Sequence, residues 1–186
     1  MQTPELPAAA AVTLDGRTTA LLVLDITDQS TKNVPACRES VPAVKRLIDH
    51  ARAAGVKVVF ALGRAAEPKI AEELEPRPED PVVRASADKF FTTDLDTHIA
   101  GKTTVVIVGT AANGAVLYTA FGACARGLTV VVPEDGISSR DPFATFVARF
   151  QLLSQPGFPN AQNTPLAAKA VTLSRSDLVT FVDAKA

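Results

Sequence analysis

The sequence predicts an α/β protein in which a mostly parallel sheet is covered by helices on both faces. Four runs rich in Val, Ile and Leu have the composition of strands that are buried on both faces: Thr19–Ile26, Val56–Leu62, Thr104–Val108 and Leu128–Val132. Helical patterns separate several of these runs, which indicates parallel pairing. With 186 residues, 47% of them hydrophobic, the chain is long enough for one domain with a sizeable core.

The first half of the chain begins with a Pro- and Ala-rich segment, Met1–Ala10, which we interpret as an arm. The first strand ends near Asp25, and the polar segment Thr27–Pro35 predicts a loop above that end. A helix follows, because apolar residues recur at helical spacing at Val41, Val44, Leu47, Ile48 and Ala51. Gly55 ends this helix, and the second strand begins directly afterwards.

The segment between the second and third strands is less regular. Arg64–Arg84 is charged and contains Pro, so we interpret it as a long loop with a short helix near Lys69–Leu74. Lys89–His98 predicts a short turn or helix. Three of its apolar side chains are expected to pack inward, namely Phe90, Phe91 and Leu95.

The third strand, Thr104–Val108, leads through a loop of small residues into a helix over Ala115–Arg126. Asn113 is the predicted N-terminal cap of that helix, and Gly127 ends it. Backbone N–H groups at such a turn can bind an anion or a developing oxyanion, although an ordinary strand-to-helix turn has the same composition. The remaining elements are a helix over Ala144–Leu153, with Phe143, Val147 and Phe150 on one stripe, and a last strand near Ala170–Leu173.

Composition excludes several classes of function. The formal net charge of −1, the 5% aromatic content and the absence of Trp give no basis for binding nucleic acid or an acidic membrane surface. Two cysteines suit a reducing compartment. The first residues resemble no signal peptide, and no run is long enough to cross a membrane, so we predict a cytoplasmic protein. Residues 1–18 are interpreted as a lead-in and residues 19–186 as one domain.

Polar residues follow the predicted strands at their carboxyl ends, where open parallel sheets bind ligands. Asp25, Arg64, the loop after Gly109 and Asp135 all stand there. Asp25 is the strongest candidate for catalysis, because a carboxylate at the end of an apolar strand is partly desolvated and its pKa is raised. A structural carboxylate that caps a loop is the alternative. Lys89 and Arg84 are candidates to pair with Asp25 or to bind an anionic substrate.

The cysteines and histidines give no sign of a catalytic thiol or a metal site. Cys124 lies too deep in its helix for activation at the helix N-terminus, and Cys37 has no activating pattern. His50 and His98 have no His, Cys or carboxylate at ligand spacing. We therefore expect no metal and no cofactor.

The chain resembles the isochorismatase-like family of cysteine hydrolases from about Thr19 to Val132. TALLVLDI resembles the family's first strand, which ends in a catalytic Asp, here Asp25. KFFTTDLDTHI resembles its AFxxTxL segment, and GTAANGAVLYTA followed by RGLTVVVPEDGISS resembles its GxxxxxCVxxTA motif and the stretch after it. The resemblance implies a three-layer Rossmann-like fold, a homo-oligomer of two or more copies, and an Asp, Lys and Cys triad that acts on small amides.

The same resemblance implies roles for residues near the loop. Backbone N–H groups of Ala111 and Ala115 would form an oxyanion hole, with an unusual peptide bond at Thr110–Ala111. The expected catalytic positions are Asp25, Lys89 and Ala115. The expected substrate-binding residues are Arg64, Arg84, Phe90, Ala111 and Asn113.

The sequence departs from the family pattern at two of the three triad positions. Counted from Gly109, the nucleophilic Cys falls on Ala115, whose methyl group cannot attack a carbonyl. Counted back from Phe90, the Lys falls on Arg84, and Lys89 is the other cation nearby. The metal-binding histidines of the nicotinamidase branch have no counterpart. The true isochorismatases resemble this chain in having a small residue at the Cys position, and they cleave a vinyl ether with an Asp that delivers the proton.

Two functions remain compatible with these residues. The first is a hydrolase of a small molecule that uses Asp25 as acid or base without a Cys nucleophile, on a vinyl ether or a C–N bond. The second is a catalytically silent relative that binds a metabolite or acts as an oligomeric interaction protein. A third interpretation, that Ala115 replaces a native cysteine, does not explain why Arg84 also departs from the pattern.

Overall fold

The computed structural model describes residues 3–64 and 68–183 and contains nine strands and five α-helices in these ranges. In chain order the strands are β1 (Val12–Asp15), β2 (Thr19–Leu24), β3 (Lys57–Leu62), β4 (Val82–Arg84), β5 (Thr104–Thr110), β6 (Thr129–Pro133), β7 (Ile137–Ser138), β8 (Val171–Ser174) and β9 (Val179–Val182). The helices are α1 (Asp28–Asn33), α2 (Pro35–Ala53), α3 (Leu95–His98), α4 (Leu117–Ala125) and α5 (Pro142–Leu153). In these described ranges no helix is both long enough and apolar enough to cross a bilayer.

The main sheet has the order β4-β3-β2-β5-β6-β8, with β7 paired to the far end of β5, and every ladder in it is parallel. The predicted α/β fold with a mostly parallel sheet is therefore confirmed. From β2 the chain proceeds outward through β3 and β4, and it then returns to β5 and proceeds to the other edge. This reversal makes the carboxyl ends of β2 and β5 the switch point, where such sheets bind ligands.

Two apolar cores, one on each face of the sheet, complete three layers. On one face α2 packs with the buried stripe that the sequence predicts: Val41, Val44, Leu47, Ile48 and Ala51. Helices α4 and α5 pack on the other face. A small parallel pair of β1 and β9 joins the α2 side, so Val12 and Leu14 of the predicted lead-in are buried in that core.

The predicted loop over Thr27–Pro35 is wrong, because this segment contains α1 and the start of α2. Thr27 and Ser30 form a reciprocal cap at the start of α1. The Ser30 N–H donates to Thr27 Oγ1 at 3.1 Å, and the Thr27 N–H donates to Ser30 Oγ at 2.7 Å. This capping satisfies N–H groups that a helix this short otherwise leaves to water.

The long segment Arg64–Arg84 has more structure than predicted. A 3₁₀ turn at Glu72–Leu74 stands at the end of the predicted short helix, and β4 adds an edge strand to the sheet. Residues 65–67 of the predicted loop lie outside the described residues.

Phe91 and the apolar stripe of α5 are more exposed than the apolar residues of the core. Phe90 and Leu95 are buried as predicted, but the prediction for Phe91 is wrong, because its side chain is 67% exposed. In α5 the buried residues are Ala148, Leu152 and Leu153. The stripe at Phe143, Val147 and Phe150 therefore lies on the outer side of that helix.

Candidate active site

Asp25 lies at the switch point of the sheet, directly after β2. Its backbone has a positive φ of 54°, which turns the chain sharply away from the strand. The Asp25 N–H donates to the Ala61 carbonyl at 2.9 Å, and the Asp25 carbonyl accepts from Ser30 Oγ at 2.9 Å. Both backbone groups are thereby fixed, so the carboxyl is held in one place at the edge of the sheet.

Lys89 forms an ion pair with Asp25, with Nζ at 2.7 Å from Oδ2. The Lys89 side chain is 0% exposed, whereas that of Asp25 is 25% exposed. The ammonium also donates to the carbonyls of Ser86 at 3.0 Å and Ala85 at 3.3 Å, so all three of its hydrogens have acceptors. Of the two cations considered from the sequence, Lys89 is thus the one that pairs with the carboxylate.

The backbone around Lys89 is anchored to α4. The Lys89 N–H donates to Thr119 Oγ1 at 3.1 Å, and Thr93 Oγ1 donates to the Lys89 carbonyl at 2.6 Å. The neighbouring Asp88 lies so close to α4 that a Cβ added at Gly122 would be 2.9 Å from its Oδ1. The sequence analysis did not include Thr119. Its position four residues after Ala115 would have indicated that the two side chains lie on the same face of the helix.

Burial makes the protonated form of the Asp25 carboxyl less unfavourable than it is for an exposed aspartate. Burial raises the pKa of Asp25 above its ordinary value, and the Lys89 ammonium and a hydrogen bond from the Gly63 N–H oppose this rise without cancelling it. A carboxyl of this kind can hold a proton nearer to neutral pH than an exposed Asp can. It is therefore suited to donating a proton to a bound molecule and taking it back.

The loop after β5 begins next to Asp25 at the switch point, because Leu24 pairs with Gly109. The Thr110–Ala111 peptide is cis, and Ala112–Val116 forms a single π turn in which the Val116 N–H donates to the Ala111 carbonyl at 3.3 Å. Such turns are frequent at functional sites. Gly109 has φ 140°, and a Cβ there would collide with the Leu24 carbonyl, so only glycine lets β5 approach β2 this closely.

Asn113 does not cap the following helix, contrary to the prediction. The helical turn already begins at Ala112, and α4 has no side-chain cap. Asn113 Oδ1 instead accepts a hydrogen bond from Ser139 Oγ at 2.9 Å, which ties the loop to the segment after β7. Ala111 is exposed beside it, and Ala115 is buried in the core under α4.

The two arginines predicted to bind substrate lie at the same edge with exposed side chains. Arg84 Nη1 donates to the Gly63 carbonyl at 3.5 Å, and Arg64 donates to Thr92 Oγ1. Phe90 is different, because it is only 3% exposed and the Arg126 guanidinium covers its ring at 4.2 Å. Its position gives no support to the predicted substrate-binding role, and we assign it to the core.

The two thiols are buried and weakly acidic. Burial raises the pKa of Cys124 to about 11, and it also raises the pKa of Cys37, whose Sγ lies 3.5 Å from Ser30 Oγ. Neither thiol is therefore available as a nucleophile in the folded chain. Among the described residues no group of three His, Cys, Asp or Glu side chains is placed to bind a metal.

Comparison with known proteins identifies the family. No curated protein sequence matches the chain closely enough to count as a relative. Among solved structures, the fold is similar to an isochorismatase family protein from Burkholderia thailandensis, with 22% identity, a TM-score of 0.71 and coverage of 91% of this chain and 97% of the other. It is also similar to N-carbamoylsarcosine amidase from Thermoplasma acidophilum, with 23% identity, a TM-score of 0.69 and coverage of 86% of this chain and 97% of the other. The nicotinamidase from Staphylococcus aureus has 20% identity, a TM-score of 0.65 and coverage of 74% of this chain and 93% of the other. The family model described as "Isochorismatase domain" matches residues 19–157. The chain belongs to the isochorismatase family.

Proposed function

We propose that the chain hydrolyses a small molecule by acid–base chemistry at Asp25, without a nucleophilic side chain. The observation that supports this proposal is the intact ion pair between Asp25 and the buried Lys89, 2.7 Å apart, beside a loop whose nucleophile position is occupied by Ala115. The chain therefore retains a group that can move a proton but has no thiol or hydroxyl at the position from which the family forms a covalent bond.

The raised pKa of Asp25 favours the role of acid. In the reaction that fits best, Asp25 gives its proton to the double bond of a vinyl ether, and the resulting cation is attacked by water at the carbon that bears the ether oxygen. Collapse of this adduct breaks the C–O bond, releases an alcohol and a carbonyl compound, and returns a proton to Asp25. Lys89 stabilises the carboxylate while the proton is away, because its ammonium stays 2.7 Å from the carboxyl oxygen.

The same residues support C–N hydrolysis as a second reaction of the same site. Asp25 would then act as base toward water, and the backbone N–H groups of Ala111 and Ala115 would hold the oxyanion. Arg64 and Arg84, which are exposed, would attract an anionic substituent of either substrate. We therefore propose a small anionic vinyl ether or amide as the substrate class.

A silent relative that binds a metabolite is the alternative, and Ala115 is the observation that favours it. A protein of this kind would bind a small carboxylate or amide at the same edge and would be stabilised against unfolding without forming a product.

The experiment compares wild type with Asp25→Asn and with the control Asp94→Asn. Asp94 is a suitable control because its side chain is 68% exposed and its carboxylate lies 3.2 Å from His98 Nε2 on the surface. Each protein is incubated in oxygen-labelled water with isochorismate and a panel of small amides, and labelled products are detected by mass spectrometry. We expect turnover by wild type and Asp94→Asn and loss of turnover in Asp25→Asn.

Two other outcomes contradict the proposal. Equal turnover by Asp25→Asn would exclude Asp25 as the acid. No turnover by wild type, together with a rise in melting temperature in the presence of a panel member, would favour the silent relative. The variant Ala115→Cys tests whether the site lacks only a nucleophile. Strong amidase activity that appears in this variant and not in wild type would mean that the thiol is the single missing group.

A further inference from the structure

A cavity of about 490 Å³ lies at the amino-terminal edge of the sheet, opposite the candidate active site. Its volume is in the range of cavities that bind small molecules. Strand β3 connects the two edges, because Lys57 at its start lines the cavity and Gly63, just after its end, donates to Asp25. At 3.3 Å per residue, the distance along the strand between these two residues is about 20 Å. The cavity is therefore separate from the candidate active site.

The lining of this cavity carries a net positive charge. It contains four side chains that are positively charged at neutral pH, and only two carboxylates. The cations are Arg52, Lys57, Arg77 and Lys102, and the carboxylates are Glu79 and Asp80. The chain as a whole has a formal net charge of −1, so this excess of cations is local.

The guanidinium of Arg52 is held firmly in place but lacks an acceptor. Its side chain is 9% exposed, with Nη2 at 2.5 Å from Asp80 Oδ2 and with Nη1 donating to the Glu75 carbonyl at 3.0 Å. The Arg77 N–H also donates to Asp80 Oδ2, at 2.8 Å, which fixes that carboxylate. Arg52 Nε is buried and has no hydrogen-bond partner among the described residues. A buried donor of this kind indicates that an acceptor is bound in the working protein.

Two other cations of the cavity have no counter-ion. The side chains of Lys57 and Arg77 form no ion pair with any residue that the structure describes. Lys102 donates one hydrogen to the Arg17 carbonyl at 2.8 Å, which leaves two of its ammonium hydrogens for another acceptor. Lys57 and Lys102 are both half-buried, so water solvates their charges incompletely. A bound anion would balance these charges better than solvent does.

The carboxyl end of α2 lies beside the cavity, and the negative end of a helix dipole disfavours anions. Its effect is reduced here by hydrogen bonds and by charge. The carbonyls of His50, Ala51 and Arg52 accept the N–H groups of residues 54–56 at 2.8–3.2 Å. The Arg52 side chain places a positive charge at the same end. This helix end is therefore compatible with an anion in the cavity.

We infer that the cavity binds a small metabolite that carries two or more phosphate or carboxylate groups. An arginine fork together with separate lysine ammonium groups is the donor set that such oxyanions prefer. The apolar part of the lining is formed by Val56 and Val58, which would contact the uncharged part of the ligand. The inference does not depend on the proposed function, because the cavity and the candidate active site share no residue.

The first experiment measures binding to wild type by calorimetry and by the shift in melting temperature. The probes are inorganic pyrophosphate and citrate, each at an ionic strength kept constant with sodium chloride, so that general screening does not change. We expect at least one of them to bind saturably, with one anion per chain, and to raise the melting temperature. The stronger of the two identifies phosphate or carboxylate as the preferred group. If neither binds, the inference is wrong.

Variants then locate the bound anion. Lys57→Gln and Arg77→Gln each remove one contact in the cavity and should weaken binding about tenfold. Lys32→Gln and Arg38→Gln are the matched controls, because these exposed cations lie outside the cavity, and they should bind like wild type. A loss of binding as large in the controls would mean attraction by net charge alone and would overturn the inference. A loss confined to Arg84→Gln would place the anion at the candidate active site, with the same consequence.

Circular dichroism checks that each variant is folded. The two cavity variants are independent, so either one alone locates the anion if the other does not fold.

Discussion

Replacing Lys89 with Met tests whether the ion pair with Asp25 stabilises the fold as the structure indicates. Met has nearly the length of the lysine side chain but has no charge and no N–H donor. The substitution therefore leaves the Asp25 carboxylate without its cation. It also leaves the carbonyls of Ala85 and Ser86 without the hydrogen bonds of 3.3 and 3.0 Å that the ammonium donates.

The expected loss in the free energy of unfolding is about 3 kcal/mol at neutral pH. Removing one partner of a fully buried ion pair costs about 3–5 kcal/mol, and each carbonyl that loses its donor adds about 1 kcal/mol. Asp25 remains 25% exposed, so water solvates part of its charge and reduces the loss. Since domains of this kind are stable by about 5–15 kcal/mol, the variant is expected to fold.

The loss in the free energy of unfolding caused by Lys89→Met should grow as the pH rises. Burial already raises the pKa of Asp25, and removing Lys89 removes the main opposing contribution, so this pKa rises further in the variant. A carboxyl whose pKa is higher in the folded than in the unfolded state stabilises the fold fully at pH values below its unfolded-state pKa. This contribution to the free energy of unfolding is lost as the pH rises through the folded-state pKa. The loss due to Lys89→Met is therefore smallest near the ordinary pKa of 3.8 and grows toward neutral pH.

The assay is urea denaturation followed by circular dichroism at several pH values and one protein concentration. Lys32→Met is the control, because Lys32 is an exposed residue in the last turn of α1, where a substitution changes stability by about 0.5 kcal/mol or less. A loss for Lys89→Met as small as that of the control, or one that does not grow with pH, would refute the interpretation of the pair.

Three further predictions follow from contacts around the site. Thr119→Val removes the acceptor of the Lys89 N–H, so it should lower the free energy of unfolding by about 1 kcal/mol and reduce turnover, and Thr119→Ser should restore both. Equal turnover by wild type and Thr119→Val would contradict this prediction. Gly109→Ala should cost about 3 kcal/mol or more, because its Cβ meets backbone, whereas Gly101→Ala, with open space around it, should cost only about 1 kcal/mol of backbone strain. Cys124, whose pKa is raised to about 11, should resist alkylation until urea unfolds the protein; rapid labelling of the native chain at neutral pH would contradict its burial.

The sheet could be predicted from the sequence because its central strands are buried on both faces. Strands β2, β3, β5 and β6 each contain a run of apolar residues, and this signal does not depend on distant partners. The short strands were missed for the opposite reason. β4 is an edge strand of three residues, and β1 and β9 pair with each other across almost the whole chain, so nothing local marks any of them.

The position of Asp25 could be predicted from the sequence, and so could two candidate partners, Lys89 and Arg84, but the choice between them could not. Counting along the chain places Arg84 at the family's Lys position, and that residue is on an edge strand with its side chain exposed. Lys89 reaches Asp25 because the chain turns back after β4 and is held against α4 by Thr119. That contact joins residues 30 positions apart, and sequence spacing contains no information about it.

The geometry of the Asp25–Lys89 pair favours a chemical role over a purely structural one. Replacing a buried ion pair with apolar side chains of similar volume is often neutral or stabilising, so stability alone gives little reason for such a pair. Here Lys89 is completely buried, whereas Asp25 keeps 25% of its side chain exposed at the switch point of the sheet. A carboxyl that exchanges protons with a substrate or binds a ligand needs this partial exposure, so the pair fits a site open to small molecules better than a purely structural contact.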